Sequence, residues 1–347
     1  MINNWKRYSG TMHSKYLKKR ELWIDYIKGF CMLLVVMSHN SWPLWFNRVF
    51  TPIFLTGFFF VSGYTFNTKK NFCEFLYAKI KTLIIPILCL GVINTLLAYI
   101  AEGKPVLDRL CGLLLQRAGM WDDLWFVACL FTMELIYYFI SIVISSNTYK
   151  FILSVSLSIC GYLYIYSFPN VPLVWHFDNA CMLLPFLCWG NIFRGWSSRE
   201  YITSLIKLAE GNLLIILLLC LYAFAIIVFD NSQTNIHLRD YHNYLEFMIT
   251  AFIGIAALYV CAIFVERFSS NWVLKSLNYI GQNTLVYYAF QFKVIRLVAI
   301  IGGYIGLKVG PYSGNVISSI LVCVILVLPA YIIKRYFPWM IGIKIRR

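Results

Sequence analysis

The sequence predicts an all-α integral membrane protein, a polytopic bundle of about ten transmembrane helices with both termini in the cytoplasm. Three observations predict it. First, 60% of the 347 residues are hydrophobic and only 13% are charged, with a mean hydropathy of +0.70, whereas soluble domains carry about 25% charged residues. Second, the apolar residues gather into runs near the roughly 20 residues needed to cross about 30 Å of hydrocarbon. Third, with the N-terminus inside, 21 Lys and Arg fall on the inner side, six on the outer side and three within helices, the asymmetry that orients membrane proteins.

The runs are 21 to 41, 49 to 66, 82 to 100, 124 to 145, 150 to 168, 179 to 193, 212 to 230, 244 to 265, 283 to 302 and 314 to 334. The first follows a polar, basic tail and lacks a small-residue cleavage site, so it reads as a span and not as a secretion signal. In the second, Ser62 and Gly63 of "FFFVSGY" allow close helix approach while the aromatic residues fill the bundle. The third opens on Pro86 after Lys79 and Lys81, which positive-inside charge explains. The stretch 105 to 119 is too short and too charged to span, and reads as an interfacial or re-entrant helix. The fourth buries Glu134 too deep for snorkelling, so a buried partner is expected, Lys293 or Arg296 of the ninth run. The sixth is short, extendable towards Val171, with Asp178 at its mouth as a helix cap or a polar binding group. The segment between the eighth and ninth runs reads as a cytoplasmic loop carrying Arg267 and Lys275. No repeat, low-complexity tract or soluble domain interrupts this plan: a basic tail at 1–20, a membrane domain at 21–334 and a second basic tail at 335–347.

The net charge of +15 sits in short loops and tails, where orientation explains it without a nucleic-acid partner. Eleven cysteines show no CxxC pair and no zinc-like spacing, so neither a disulfide framework nor a metal site is expected. Membrane lipids are the expected surroundings, and chemistry must lie in the membrane or at its faces.

The first run contains "DYIKGFCMLLVVMSH", residues 25–39. An ionisable group in hydrocarbon costs about 3 kcal/mol or more, and normally faces a bundle interior or a watery cavity. Lys28 and His39 are eleven positions apart, just over three turns, which places them on one helix face about 16 Å apart. Asp25, three residues before Lys28, is close enough to neutralise it. Taken singly, Lys28 reads equally as a lysine snorkelling to the interface and His39 as a hydrogen-bonded interfacial histidine. On one face they suggest acid–base or nucleophilic transfer, because neutral imidazole accepts a proton near neutral pH.

The Lys-x10-His spacing and the surrounding "IDYIKGF" resemble the first helix of the acyltransferase-3 family of membrane O-acyltransferases, in its fucose 4-O-acetylase-like branch. Further segments resemble that family in order along most of the chain: "FFFVSGY" at 58–64, "AKIKTLIIP" at 78–86, "LWFVACLF" at 124–131, "VWHFDNACMLLPFLCWGNIF" at 174–193 and "YIGQNTLVYYAFQ" at 279–291. One departure stands out: many relatives have a histidine near Gln291, and a glutamine hydrogen-bonds but does not act as a base. The first-helix pair must then carry the proton transfer.

The resemblance implies transfer of an acetyl group from acetyl-CoA, with no metal, to a sugar hydroxyl of a cell-surface polysaccharide or its lipid-linked precursor. The implied setting is the cell membrane, that of a bacterial cytoplasm. His39 would be general base or acyl carrier; Lys28 would orient the donor, hold a CoA phosphate or steady the oxyanion. Lys79 and Lys81 would meet CoA phosphates, and Asp178, Gln291 and Trp125 would bind the acceptor, with Asp25 and Glu134 in support. His39 falls towards the outer half while CoA is cytoplasmic, so the cofactor arm must reach into a deep cavity. Two other classes stay open at this point, a glycan or solute transporter and a non-catalytic partner in polysaccharide assembly.

Overall fold

The computed structural model describes residues 21–40, 42–67, 71–120, 123–197, 213–304 and 313–343. The two tails at 1–20 and 344–347, and the loop cations Lys69, Lys70, Arg199, Lys207 and Lys308, lie outside the described residues.

Twelve helices and no strand form among the described residues. They are α1 (Leu22–Ser38), α2 (Leu44–Thr65), α3 (Phe72–Glu102), α4 (Val106–Leu115), α5 (Trp125–Val143), α6 (Asn147–Ser167), α7 (Phe177–Ser197), α8 (Leu213–Val228), α9 (Tyr244–Glu266), α10 (Trp272–Gln282), α11 (Thr284–Tyr304) and α12 (Gly314–Tyr336). Local chemistry sets several ends. The side chains of Asn71, Asn243 and Asn271 accept backbone N–H groups in the first turns of α3, α9 and α10, replacing intrahelical partners those groups lack. Gly103 ends α3 in the left-handed conformation at φ 63°, which costs a glycine no steric penalty.

Seven of these helices, α2, α3, α5, α6, α9, α11 and α12, are long and apolar enough to cross a membrane. The described part of α8 is apolar but 16 residues long. The two others expected to span, α1 and α7, carry Asp25 and Lys28, and Asp178, Asn191 and Arg194. Both are wrapped by other helices, so their sequences need not suit lipid. α1 packs against α2, α9, α10, α11 and α12, and α7 against α2, α5 and α6.

The inner contacts are close because glycines face backbone. Gly63 of α2 lies against the Leu187 carbonyl of α7, while Gly190 of α7 lies against the Phe60 carbonyl of α2. The same reciprocity joins α1 to α10, with Gly29 against Leu277 and Gly281 against Asp25. Small residues that let backbones approach are the usual device for helix association in lipid, where burial of apolar surface drives little.

Two expectations are corrected here. The segment after α9, expected as a loop, contains α10, whose eleven residues are too short and too polar to form a span. The sixth run does extend upstream, to Phe177 and a preceding 3-10 turn at Val174–His176, but also runs four residues beyond Phe193, giving α7 21 residues. The stretch 105 to 119 does contain a short helix, α4, which ends at Gln116 in the left-handed region.

Candidate functional site

α1 positions the site. The imidazole of His39, just past the last turn of α1, is accessible and lines a cavity of about 250 Å³ with Val35, Asn47, Asp123, Trp125, His237 and Phe292. It faces this cavity. The Phe292 ring of α11 lies 4.4 Å from it.

Lys28 lines a second cavity, of about 270 Å³, with Phe58, Ser62, Thr82, Phe126, Thr284 and Tyr288. Thr82 belongs to a π turn at Ile80–Ile84 inside α3, just ahead of Pro86, which has no N–H to continue the α-helical ladder. Such turns recur at functional positions in helices. Lys81 precedes Thr82 in this turn and is half-buried. Three residues, Val35, Leu55 and Tyr288, belong to the walls of both cavities. Lys28 and His39 therefore share a helix but line separate cavities with three wall residues in common, and a role for Lys28 beside the reacting atoms near His39 does not fit their separation of about 16 Å along the helix.

The far wall of the His39 cavity is the α8–α9 connection, which supplies Thr234, Asn235, Ile236 and His237. Two backbone hydrogen bonds between Asn235 and Asp240 pinch it. It is anchored through Arg239, whose Nε lies 2.9 Å from Asp178 Oδ2 and whose other nitrogens donate to the carbonyls of Phe168 and Pro169 at 3.0 Å. Asn179 of α7 donates to the Ile236 carbonyl at 2.9 Å and accepts from Tyr241 at 2.7 Å. Arg239 and His242, with Trp175 and His176 at the start of α7, adopt positive φ. Each such residue costs about 1–3 kcal/mol and persists only where surroundings hold it. Trp125 ties the two strained segments together, its ring 5.0 Å from His176 and 5.2 Å from His237.

The sequence-predicted residues divide accordingly. His39 and Trp125 meet in one cavity, and Lys28 lines the other. Asp178 lines neither the His39 nor the Lys28 cavity: it is 2% exposed, paired with Arg239, and accepts the backbone N–H groups of Leu173 and Asn179, so the buried guanidinium consumes the carboxylate expected to meet an acceptor. Gln291 is fully buried on α11, and neither its amide nitrogen nor its oxygen has a hydrogen-bond partner among the described residues. Glu134 does not pair with Lys293 or Arg296. It takes Lys79 Nζ at 2.7 Å, while Lys293 and Arg296 both reach Glu102 at the far end of α3, at 3.3 and 2.6 Å. The reason is the level at which each helix meets α3: the α11 cations meet its last residue, Glu102, whereas Glu134 meets Lys79, twenty-three residues earlier on the same helix. Asp25 is 1% exposed on α1, where its carbonyl meets Gly281.

Sequence reasoning missed His237, Asp123 and Tyr288. Asp123, in the cavity wall, is held at 2.5 Å by Arg109 of α4, which gives that short helix a purpose. His237 sits in a polar loop with no periodicity, so only its aromatic neighbours in space reveal it. Tyr288 was within a quoted motif, but its place between two cavities needs three helices to be assembled.

No group of three or more metal-ligating side chains occurs among the described residues. Neither curated proteins nor solved structures gave a match to the chain. The family model described as an acyltransferase domain, that of acyltransferase-3, matches residues 21–335, which takes in every helix described above up to the last turn of α12. A match over that span shows the family, and the chain belongs to the acyltransferase-3 family of membrane acyltransferases.

Proposed function

We propose that this acyltransferase moves an acetyl group from acetyl-CoA, bound from the cytoplasmic end, to a sugar hydroxyl of a cell-surface polysaccharide or its lipid-linked precursor at the outer end. The observation that carries this reading is the common wall of Val35, Leu55 and Tyr288 between the Lys28 and His39 cavities. A donor whose long flexible arm reaches from one cavity into the other removes the conflict between a cytoplasmic thioester and a histidine in the outer half.

In this reaction Lys28 and Lys81 hold the phosphates and arm of the donor as fixed positive charges. Trp125 offers a flat apolar face to a sugar ring, and Asn47, Asp123 and Asn235 offer groups to its hydroxyls, a mixture suited to a polar ligand with apolar faces. Neutral His39 takes the proton of the acceptor hydroxyl as that oxygen attacks the thioester carbonyl. The C–S bond breaks, an ester C–O bond forms, and the proton passes from imidazolium to the departing CoA thiolate. Asp178 and Glu134 shape the site through their ion pairs, and Gln291 lies behind it.

Purified full-length protein, labelled acetyl-CoA and crude surface glycan test this. Label is expected in glycan esters with the wild type and to fall at least about a hundredfold with His39→Ala, the usual scale for a lost general base. Label that stays on CoA with the wild type favours a transporter; undiminished transfer by the folded variant refutes the role given to His39.

A further inference from the structure

Building on the transfer reading, we infer that the partition formed by Val35, Leu55 and Tyr288 selects the acyl group, admitting a small, neutral, unbranched one and refusing branched or carboxylated ones. Val35 lies four residues, about 6 Å, below His39 and seven residues, about 10 Å, above Lys28. Any thioester delivered from the Lys28 side to a hydroxyl beside His39 must pass that level, and its acyl group leads the way. The three side chains come from three different helices, α1, α2 and α11, and are 2%, 5% and 7% exposed, so the partition is made of packed helix side chains and not of loops.

Two physical filters follow. The first is width: a straight chain no thicker than the donor's own arm passes where a branched one meets the Val35 and Leu55 methyl groups. The second is charge. Phe58, Phe126 and Val127 continue the apolar wall on the Lys28 side, and the one polar group among the three partition residues, the Tyr288 hydroxyl, accepts the Phe126 backbone N–H at 3.4 Å. A carboxylate passing the three partition residues would exchange its water shell for at most the one hydrogen bond that the Tyr288 hydroxyl can donate, which is costly. The filter changes no step of the reaction: with every donor, a thioester C–S bond breaks, an ester C–O bond forms and the hydroxyl proton ends on CoA.

The test offers purified full-length protein an equimolar mixture of acetyl-, isobutyryl- and succinyl-CoA, with surface glycan from cells carrying His39→Ala as acceptor. Esters are released by alkali and counted by mass spectrometry. Acetyl should dominate with the wild type. Val35→Ala and Leu55→Ala, made separately, should each raise the isobutyryl-to-acetyl ratio roughly tenfold, the lower end of what a methylene is worth in an apolar pocket, while succinyl stays excluded. Val35→Ile should move the ratio the other way. Because ratios are read within one sample, a poorer yield of folded variant does not move them. Ratios equal to wild type in both alanine variants overturn the inference, as does succinyl incorporation rising in step with isobutyryl. Wild type that esterifies the glycan with none of the three overturns the transfer reading itself, a result distinct from unaltered ratios.

Discussion

Lys79 Nζ of α3 donates to Glu134 Oε1 of α5 at 2.7 Å, with the carboxylate side chain 5% and the lysine side chain 22% exposed. The ammonium also lies over the rings of Phe66 and Phe75, at 5.5 and 5.8 Å from their centroids, so its charge is held by an acid and two aromatic faces at once. Removing one partner of a buried pair costs more than the pair contributes, because the other charge stays behind. Lys79→Ala, which strands a buried carboxylate, should therefore destabilise by about 3 kcal/mol, and Glu134→Gln by less, since the lysine retains a route to solvent. Replacing both, Lys79→Met with Glu134→Leu, should restore much of the loss. Thermal unfolding of the detergent-solubilised protein checks the order; equal losses for the two single variants would show that the pair is not buried as described.

Lys81 separates from its neighbour on the same grounds. It follows Lys79 by two positions and precedes Thr82 of the Lys28 cavity wall, so Lys81→Ala should leave the melting temperature near wild type and raise KM for acetyl-CoA by about tenfold, the weight of one lost charge contact of roughly 1.4 kcal/mol. An unchanged KM would leave Lys81 with orientation in the membrane as its whole task.

The paired glycines set a sharper threshold. A Cβ at Gly63 would stand 1.9 Å from the Leu187 carbonyl oxygen, and one at Gly190 1.9 Å from that of Phe60. Neither backbone can yield without parting α2 from α7, and the cost should exceed about 3 kcal/mol, beyond ordinary overpacking. Gly303, with nothing within 4 Å, is the control: Gly303→Ala should be neutral or stabilise α11 by up to about 1 kcal/mol. Folded yield by size-exclusion chromatography distinguishes them, and a monodisperse Gly190→Ala protein would contradict the packing.

The sequence made the helices legible because crossing lipid demands a length and a composition that few other structures need. It also made Lys28 and His39 legible, since two polar groups on one apolar helix face break that demand. Partners were a different matter. Glu134 announced that it was buried, but choosing between Lys79 and the α11 cations depends on the level at which each helix crosses its neighbours, which periodicity does not encode. Asp178 looked available because Arg239, sixty-one positions later, reaches it only through a loop folded back with positive φ. α10 was hidden for a related reason: it needs only one packed face, and Gly29 and Gly281, the residues that seat it, look unremarkable in isolation.

Arg239 offers the test of whether that folded-back loop belongs to the site or merely covers it. Its guanidinium is 3% exposed and paired with a fully buried Asp178 side chain, and it also donates to the carbonyls of Phe168 and Pro169. Asp178→Asn leaves that cation without a counter-charge and should cost about 3–5 kcal/mol. Asp178→Asn combined with Arg239→Gln removes both charges and should recover part of the stability, yet it loosens the segment bearing Asn235 and His237. If those side chains meet the acceptor, the double variant should show a KM for glycan raised several-fold while KM for acetyl-CoA stays unchanged, because the donor enters from the opposite end. That split is what a purely structural role would not produce: general loosening of the bundle would lower kcat with both substrates' KM values left where they were, and would show the loop to be scaffold.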